Sequence, residues 1–106
     1  MSTARLAAIG FFMVMMAAPA SAADHEVSQR DGGFSRENMI IQAGDAVIIK
    51  NDDSVVHNVL SKSGGLELNE LQQPGEQTKI VFSDGGQWVL RCAIHPKAKL
   101  TINVQR

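Results

Sequence analysis

The chain has 106 residues, and 10 basic side chains against 11 acidic ones leave a formal charge of −1. That near balance excludes the basic footprint of a nucleic-acid-binding protein. A single cysteine excludes an internal disulfide, so the thiol is either protected by burial or occupied by a metal.

The N-terminus, MSTARLAAIGFFMVMMAAPASAA, has the layout of a secretory signal. Arg5 supplies the positive start, Leu6 to Ala18 the apolar run, and Ala20-Ser21-Ala22 a small-x-small cleavage site, with cleavage expected after Ala22. The apolar run falls short of the roughly 20 residues that a spanning helix needs and is broken by Pro19, so no membrane anchor is expected after cleavage. Removing residues 1–22 of the 106 leaves 84, one domain over 23–106 with one modest core. Arg5 is the only charge lost, so 9 basic and 11 acidic residues remain, a net −2.

Beyond Ala23 the dominant hydrophobic period is two, interrupted at short intervals by Gly, Asp, Asn and Pro, which predicts an all-β domain. His25 to Gln29 reads as a first strand ended by the Asp31-Gly32-Gly33 turn. Met39 to Gln42 is a second, and Ala43-Gly44-Asp45 leads into Ala46 to Lys50. Asn51-Asp52-Asp53-Ser54 makes a polar corner before a strand over Val55 to Leu60. The segment Ser61 to Gln73 reads as a loop. Pro74-Gly75 precedes a strand over Thr78 to Phe82, Asp84-Gly85-Gly86 one over Gln87 to Cys92, and Lys99 to Val104 closes the chain. Alternation points Trp88, Leu90 and Cys92 one way and Val89 and Arg91 the other; Leu100, Ile102 and Val104 share a face, as do Val55, His57 and Val59. About seven short strands with one inward face each predict two sheets packed as a sandwich.

Three residues stand out chemically. Cys92 and His95 sit where a strand end and the following turn aim both side chains at one point, and His57 lies on a strand well upstream. A thiolate with two imidazoles is a trigonal soft-donor set that suits copper and, less distinctively, zinc. No catalytic residue is assigned, because a Cys–His nucleophile pair has no orienting third group in so short a domain. Separately, cleavage after Ala22 would leave Ala23-Asp24-His25 at the start of the chain. An amine, two deprotonated amides and that imidazole form a square-planar nitrogen site for Cu(II) or Ni(II).

At these residues the chain resembles the cupredoxins, small periplasmic type 1 blue copper proteins of the plastocyanin and amicyanin type. Ala43-Gly44-Asp45-Ala46-Val47 resembles their strand entry, Val56-His57-Asn58-Val59 their first-ligand segment, Pro74-Gly75-Glu76 a turn, and Cys92-Ala93-Ile94-His95-Pro96 their ligand loop. The resemblance implies a two-sheet Greek-key β-sandwich over 23–106 that holds one copper ion through His57, Cys92 and His95. Asn58 would tie the two ligand segments together, and Pro96 would lie beside the exposed edge of His95. It implies a monomeric periplasmic protein, not an enzyme, that carries single electrons through one Cu(I)/Cu(II) centre. A redox partner would dock near His95, Pro96 and Lys97, with Lys99 flanking them.

The departure from the family pattern is Ala98, which stands where short-loop members carry the weak axial Met; in longer-loop members that ligand falls where this chain has Leu100. The one Met beyond the leader, Met39, is expected in the core away from the loop. A vacant axial position keeps two rivals open: a copper carrier or tolerance protein that uses the opened site, and a cupredoxin fold that binds partners without metal.

Overall fold

The computed structural model describes residues 21–63 and 65–106, so the expected leader, Ser21 and Ala22 apart, lies outside the described residues. Among the described residues every regular element is a strand. They are β1 (Asp24–Arg30), β2 (Gly33–Phe34), β3 (Asn38–Gln42), β4 (Ala46–Asn51), β5 (His57–Ser61), β6 (Leu68–Gln72), β7 (Gln77–Val81), β8 (Gly86–Arg91) and β9 (Lys99–Gln105). They form a four-stranded sheet in the order β2-β1-β4-β7 and a five-stranded sheet in the order β3-β9-β8-β5-β6. The pairs β1–β4 and β3–β9 are parallel, so the chain crosses repeatedly between sheets and the architecture is an all-β sandwich.

The period-two pattern decides which face each strand buries. Val27, Met39, Ile41, Val47, Ile49, Val59, Trp88, Leu90, Leu100, Ile102 and Val104 make one shared core, to which both sheets contribute. Each fully buried aliphatic side chain of this kind contributes roughly 1.5–3 kcal/mol relative to exposure. Trp88 packs on Phe82 with ring centroids 5.3 Å apart and planes inclined at 56°. Leu90 lies opposite Leu100 and Trp88 opposite Ile102, so the β8–β9 hairpin presents a continuous apolar inner face up to the loop at 92–98.

Three local expectations need correction. The 61–73 segment is not all loop: Leu68–Gln72 pairs antiparallel with β5 as an edge strand. Its pattern is weak because Asn69, Glu70 and Leu71 are exposed and alternation is lost there. The turn that ends β1 is shorter than Asp31-Gly32-Gly33, since Gly33 already pairs with Arg30 as the first residue of β2. The strand expected from Val55 starts instead at His57. The reason is a polar one: Asn51 Nδ2 donates to Val55 O at 2.8 Å, which holds residues 52–56 in a corner.

A seam of amides crosses the core at the end nearest this corner. Gln29, Asn51 and Gln72 are buried, and Gln72 Nε2 donates to Ile49 O at 2.8 Å and to Thr78 Oγ1 at 3.0 Å. Gln29 Nε2 donates to Asn58 O at 3.2 Å, so the seam reaches the strand that carries His57.

Candidate metal centre

His57 opens β5, and Cys92 follows β8 directly. The two strands are antiparallel neighbours, with Leu60 opposite Arg91, which brings the start of β5 beside the loop after β8. Ala98 N donates to His95 O at 2.9 Å, closing a turn with Pro96 at its second position, where a ring-fixed φ is favoured. That turn carries His95 back over Cys92.

The result is a cluster of His57, Cys92 and His95 whose ligand atoms all lie within 4.8 Å of one another. Cys92 Sγ is 4.0 Å from His57 Nδ1 and 3.8 Å from His95 Nδ1. The two rings are 4.8 Å apart at 46°. Donors about 2.0–2.3 Å from one ion in a trigonal plane stand about 3.5–4 Å apart, so the spacing of sulfur and nitrogens suits a single ion. The cluster spans a gradient of exposure: His57 is 0 % exposed and Cys92 2 %, whereas His95 is only partly buried. One imidazole is therefore sealed in the protein and the other reaches the surface.

Asn58 joins the two segments. Its N–H donates to Cys92 Sγ at 3.3 Å, its Oδ1 accepts from Ala93 N at 3.3 Å, and its Nδ2 donates to Asn69 Oδ1 at 2.7 Å. The N–H thus points a donor at the sulfur, which would be the anionic ligand of a metal. Pro96 and Lys97 are exposed beside His95. Lys97 and Lys99 line a shallow depression with Glu37, Asn38 and Thr101, so the basic rim is offset by an acid.

Ala98 is buried, at 1 % exposed, and its methyl offers no donor. Met39 faces the core on β3 opposite Ile102 of β9, while Cys92 continues past the Arg91–Lys99 pair at the far end of that hairpin. Along β9 the two positions differ by three residues, about 10 Å, so Met39 is remote from the cluster.

Ala23, Asp24 and His25 are not brought together as a chelate. They enter β1, with Asp24 opposite Ala46 and His25 opposite Val47. Ala23 N donates to Asp45 Oδ1 and His25 Nε2 meets Asp45 Oδ2, both at 2.9 Å. Successive N–H groups of a strand point to opposite sides, whereas a square-planar chelate needs those of Asp24 and His25 on one side.

Two residues that sequence reading passed over touch the cluster. Asp53 Oδ2 lies 3.0 Å from His57 Nε2, and this bond is the foremost cause that lowers its pKa from 3.8 to about 2. Gly32 packs against the ring of His95, where an added Cβ would stand 3.4 Å from Cδ2. The only sequence signals for them were an acidic residue four before a histidine and a glycine in a turn, and both patterns are common on surfaces.

Residues 4–104 match the family profile of the Cupredoxin-like domain, and the chain belongs to that family. Its sequence is similar to the methylamine utilization protein MauL of Methylorubrum extorquens, 26 % identical over 98 residues that cover 91 % of this chain and 86 % of that one. A purple cupredoxin from Nitrosopumilus maritimus is similar in structure at a TM-score of 0.69 and 25 % identity, covering 77 % of this chain and 100 % of its own. Amicyanin from Paracoccus versutus superposes with a TM-score of 0.69 at 22 % identity, over 83 % of this chain and 85 % of its own, a likeness of fold.

Proposed function

We propose that the protein is an electron-transfer copper protein with one copper ion held by His57, Cys92 and His95. The observation that carries this reading is the convergence of one thiol and two Nδ1 atoms from separate strands and a turn. Membership of the Cupredoxin-like family and the likeness to a cupredoxin and to amicyanin support it. Similarity to a methylamine utilization protein supports a place in methylamine utilization. When bound, copper supplies a one-electron couple between Cu(I) and Cu(II).

The chain's own residues do the rest. Cys92 offers the soft anionic donor, and the Asn58 N–H limits its charge. His57 anchors the inner side, and the packed strands around it exclude water. His95 links the centre to the surface, where a partner docks over His95, Pro96 and Lys97, with half-exposed Ile94 as an apolar contact. A donor on β5 and a second directly after β8, both anchored on a close-packed sandwich, resist displacement, which suits a centre that must change oxidation state without rearranging. Among the described residues no helix is long and apolar enough to cross a membrane. We assign residues 1–22 as a removed secretory signal, residues 23–106 as a monomeric domain and the periplasm as its place.

Ala98 takes the position of the family's axial Met. With a methyl group there, three donors remain, and a site that stays dry favours Cu(I) and a raised potential. The same substitution favours a second reading, a copper carrier, if the opened position admits water or a chelating partner. Visible absorption and electron paramagnetic resonance of the Cu(II)-loaded protein separate the two. An intense thiolate-to-copper band with narrow hyperfine splitting is expected. A weak band with wide splitting would replace electron transfer with the carrier, and absence of copper uptake would overturn both.

A further inference from the structure

His57 is fully buried, so neither ring nitrogen can rely on bulk water for a partner. Its Nε2 lies 3.0 Å from Asp53 Oδ2, and its Nδ1 faces Cys92 Sγ. A carboxylate accepts and does not donate, so Nε2 carries the proton of the neutral ring and Nδ1 is left as a bare lone pair. The carboxylate is itself held. Asp31 N donates to Oδ2 at 3.0 Å and Ser54 N to Oδ1 at 2.8 Å. The Asp53 N–H donates to Asn51 Oδ1 at 2.9 Å, and Asn51 Nδ2 reaches Val55 O at 2.8 Å and Gln72 O at 3.0 Å. The corner between β4 and β5 is thereby tied to both sheets, with Asp53 fixed against the ring.

The same carboxylate leads to the other histidine. Asp31 and Gly32 end β1 in left-handed conformations, with φ of 55° and 78°. Their turn lies over His95 so closely that a Cβ on Gly32 would meet Cδ2 at 3.4 Å and Cγ at 3.7 Å. One acid therefore holds one imidazole directly and supports the turn that packs against the second.

We propose that Asp53 is the positioning residue of the centre: it selects the His57 tautomer that turns a bare Nδ1 toward Cys92, and it holds the Asp31-Gly32 turn against His95. The consequence for copper rests on the function proposed above, whereas the tautomer is a property of the metal-free chain. A carboxylate bonded to the far side of a ligand imidazole raises its basicity and favours the more highly charged ion. Cu(II) therefore gains more from Asp53 than Cu(I) does.

The test compares wild type, Asp53→Asn and Asp53→Ala. Nitrogen-15 NMR of the metal-free proteins reads the His57 tautomer, and chelator competition reads Cu(II) and Cu(I) affinities. Wild type should hold its proton on Nε2, and Asp53→Ala should lose that preference. Cu(II) affinity in both variants should fall by about 10–100-fold, with Cu(I) affected less. Each tenfold difference between the two losses raises the potential by about 59 mV. Asp53→Asn, which keeps an acceptor oxygen without the charge, should retain the tautomer yet shift the Cu(II)/Cu(I) ratio. A wild-type proton on Nδ1, an unchanged tautomer in a folded Asp53→Ala, or an unchanged affinity ratio in Asp53→Asn overturns the proposal. If Asp53→Ala does not fold, the Asp53→Asn ratio decides. Should wild type take up no copper, the copper reading fails, and the tautomer comparison still decides whether Asp53 positions His57.

Discussion

Two histidine–carboxylate pairs sit near the two ends of β1, about 20 Å apart by strand rise, and they share the carboxylate contact but differ in burial and in what lies at the other ring nitrogen. His25 Nε2 meets Asp45 Oδ2 at 2.9 Å near the start of the strand, and His57 Nε2 meets Asp53 Oδ2 at 3.0 Å near its end. Both carboxyl groups are drawn down to about 2, but the leading cause at Asp45 is the backbone N–H of Ala23, and at Asp53 it is His57. Asp45 also accepts from Gln42 N, so it fastens the entry of β1 to the turn between β3 and β4, with His25 as one tie among several. His25 keeps 27 % of its side chain exposed, and among the described residues no sulfur or second imidazole joins it in a metal-ligating cluster. His57 is sealed, and the nitrogen that Asp53 does not occupy faces Cys92. A histidine bonded to a carboxylate thus becomes a candidate ligand through what lies at its other nitrogen, and the pair by itself does not distinguish a brace from a centre.

The same substitution made in both pairs should have different consequences. His57→Gln should lower copper affinity at the cluster by more than about 100-fold, beyond the range for partners that only support a ligand, whereas His25→Gln should leave it unchanged. Chelator competition followed by loss of the thiolate-to-copper band reads both. Equal losses would show that the two ends do not differ as described.

A smaller effect is expected at the turn that joins β1 to the centre. Gly32 has φ of 78°, and a side chain there also crowds the His95 ring. Gly32→Ala should cost about 1–2 kcal/mol of stability from backbone strain alone, measured by denaturant unfolding of the metal-free protein. The same change at Gly33, where φ is not left-handed and nothing lies within 4 Å of an added Cβ, should cost far less.

The other end responds to acid. The pKa of Asp45 is lowered on folding from 3.8 to about 2, so its contribution to stability is complete above the unfolded value and fades as pH falls through 2. Asp45→Asn should lower the melting temperature near neutral pH and flatten its decline between about pH 4 and 2. An unchanged acid limb would mean that the carboxylate is not the fastening that its bonds indicate.

The smallest effect concerns the rim. Ile94 is half exposed beside His95, and Ile94→Ser should change stability by no more than about 0.5 kcal/mol and leave the absorption of the copper-loaded protein as in wild type. A change in that spectrum would mean that the rim shapes the centre as well as its approach.

Composition and alternation were enough for the all-β sandwich, because a side chain's face in a strand follows from its parity alone. Trp88, Leu90 and Cys92 were legible as one inward row, and so were Leu100, Ile102 and Val104. His57, Cys92 and His95 could be singled out because cysteine and histidine are rare in this chain and their surroundings resemble a known family. Parity failed at β6, whose exposed edge carries no alternation, and at Val55, where the Asn51 side chain competes with the sheet for the backbone. The Ala23-Asp24-His25 chelate was readable as a sequence of donors, but it needed a free, folded-back terminus, and pairing with β4 makes this segment a strand. Asp53, Gly32 and the roles of the two histidine–carboxylate pairs depended on contacts between distant segments. Sequence determines which donors and acceptors exist and which face of a strand they take. Only the packing of one sheet on the other decides which of them meet, because hydrogen bonds and metal sites require atoms within a few ångströms, and segments far apart along the chain come that close only once the core has closed.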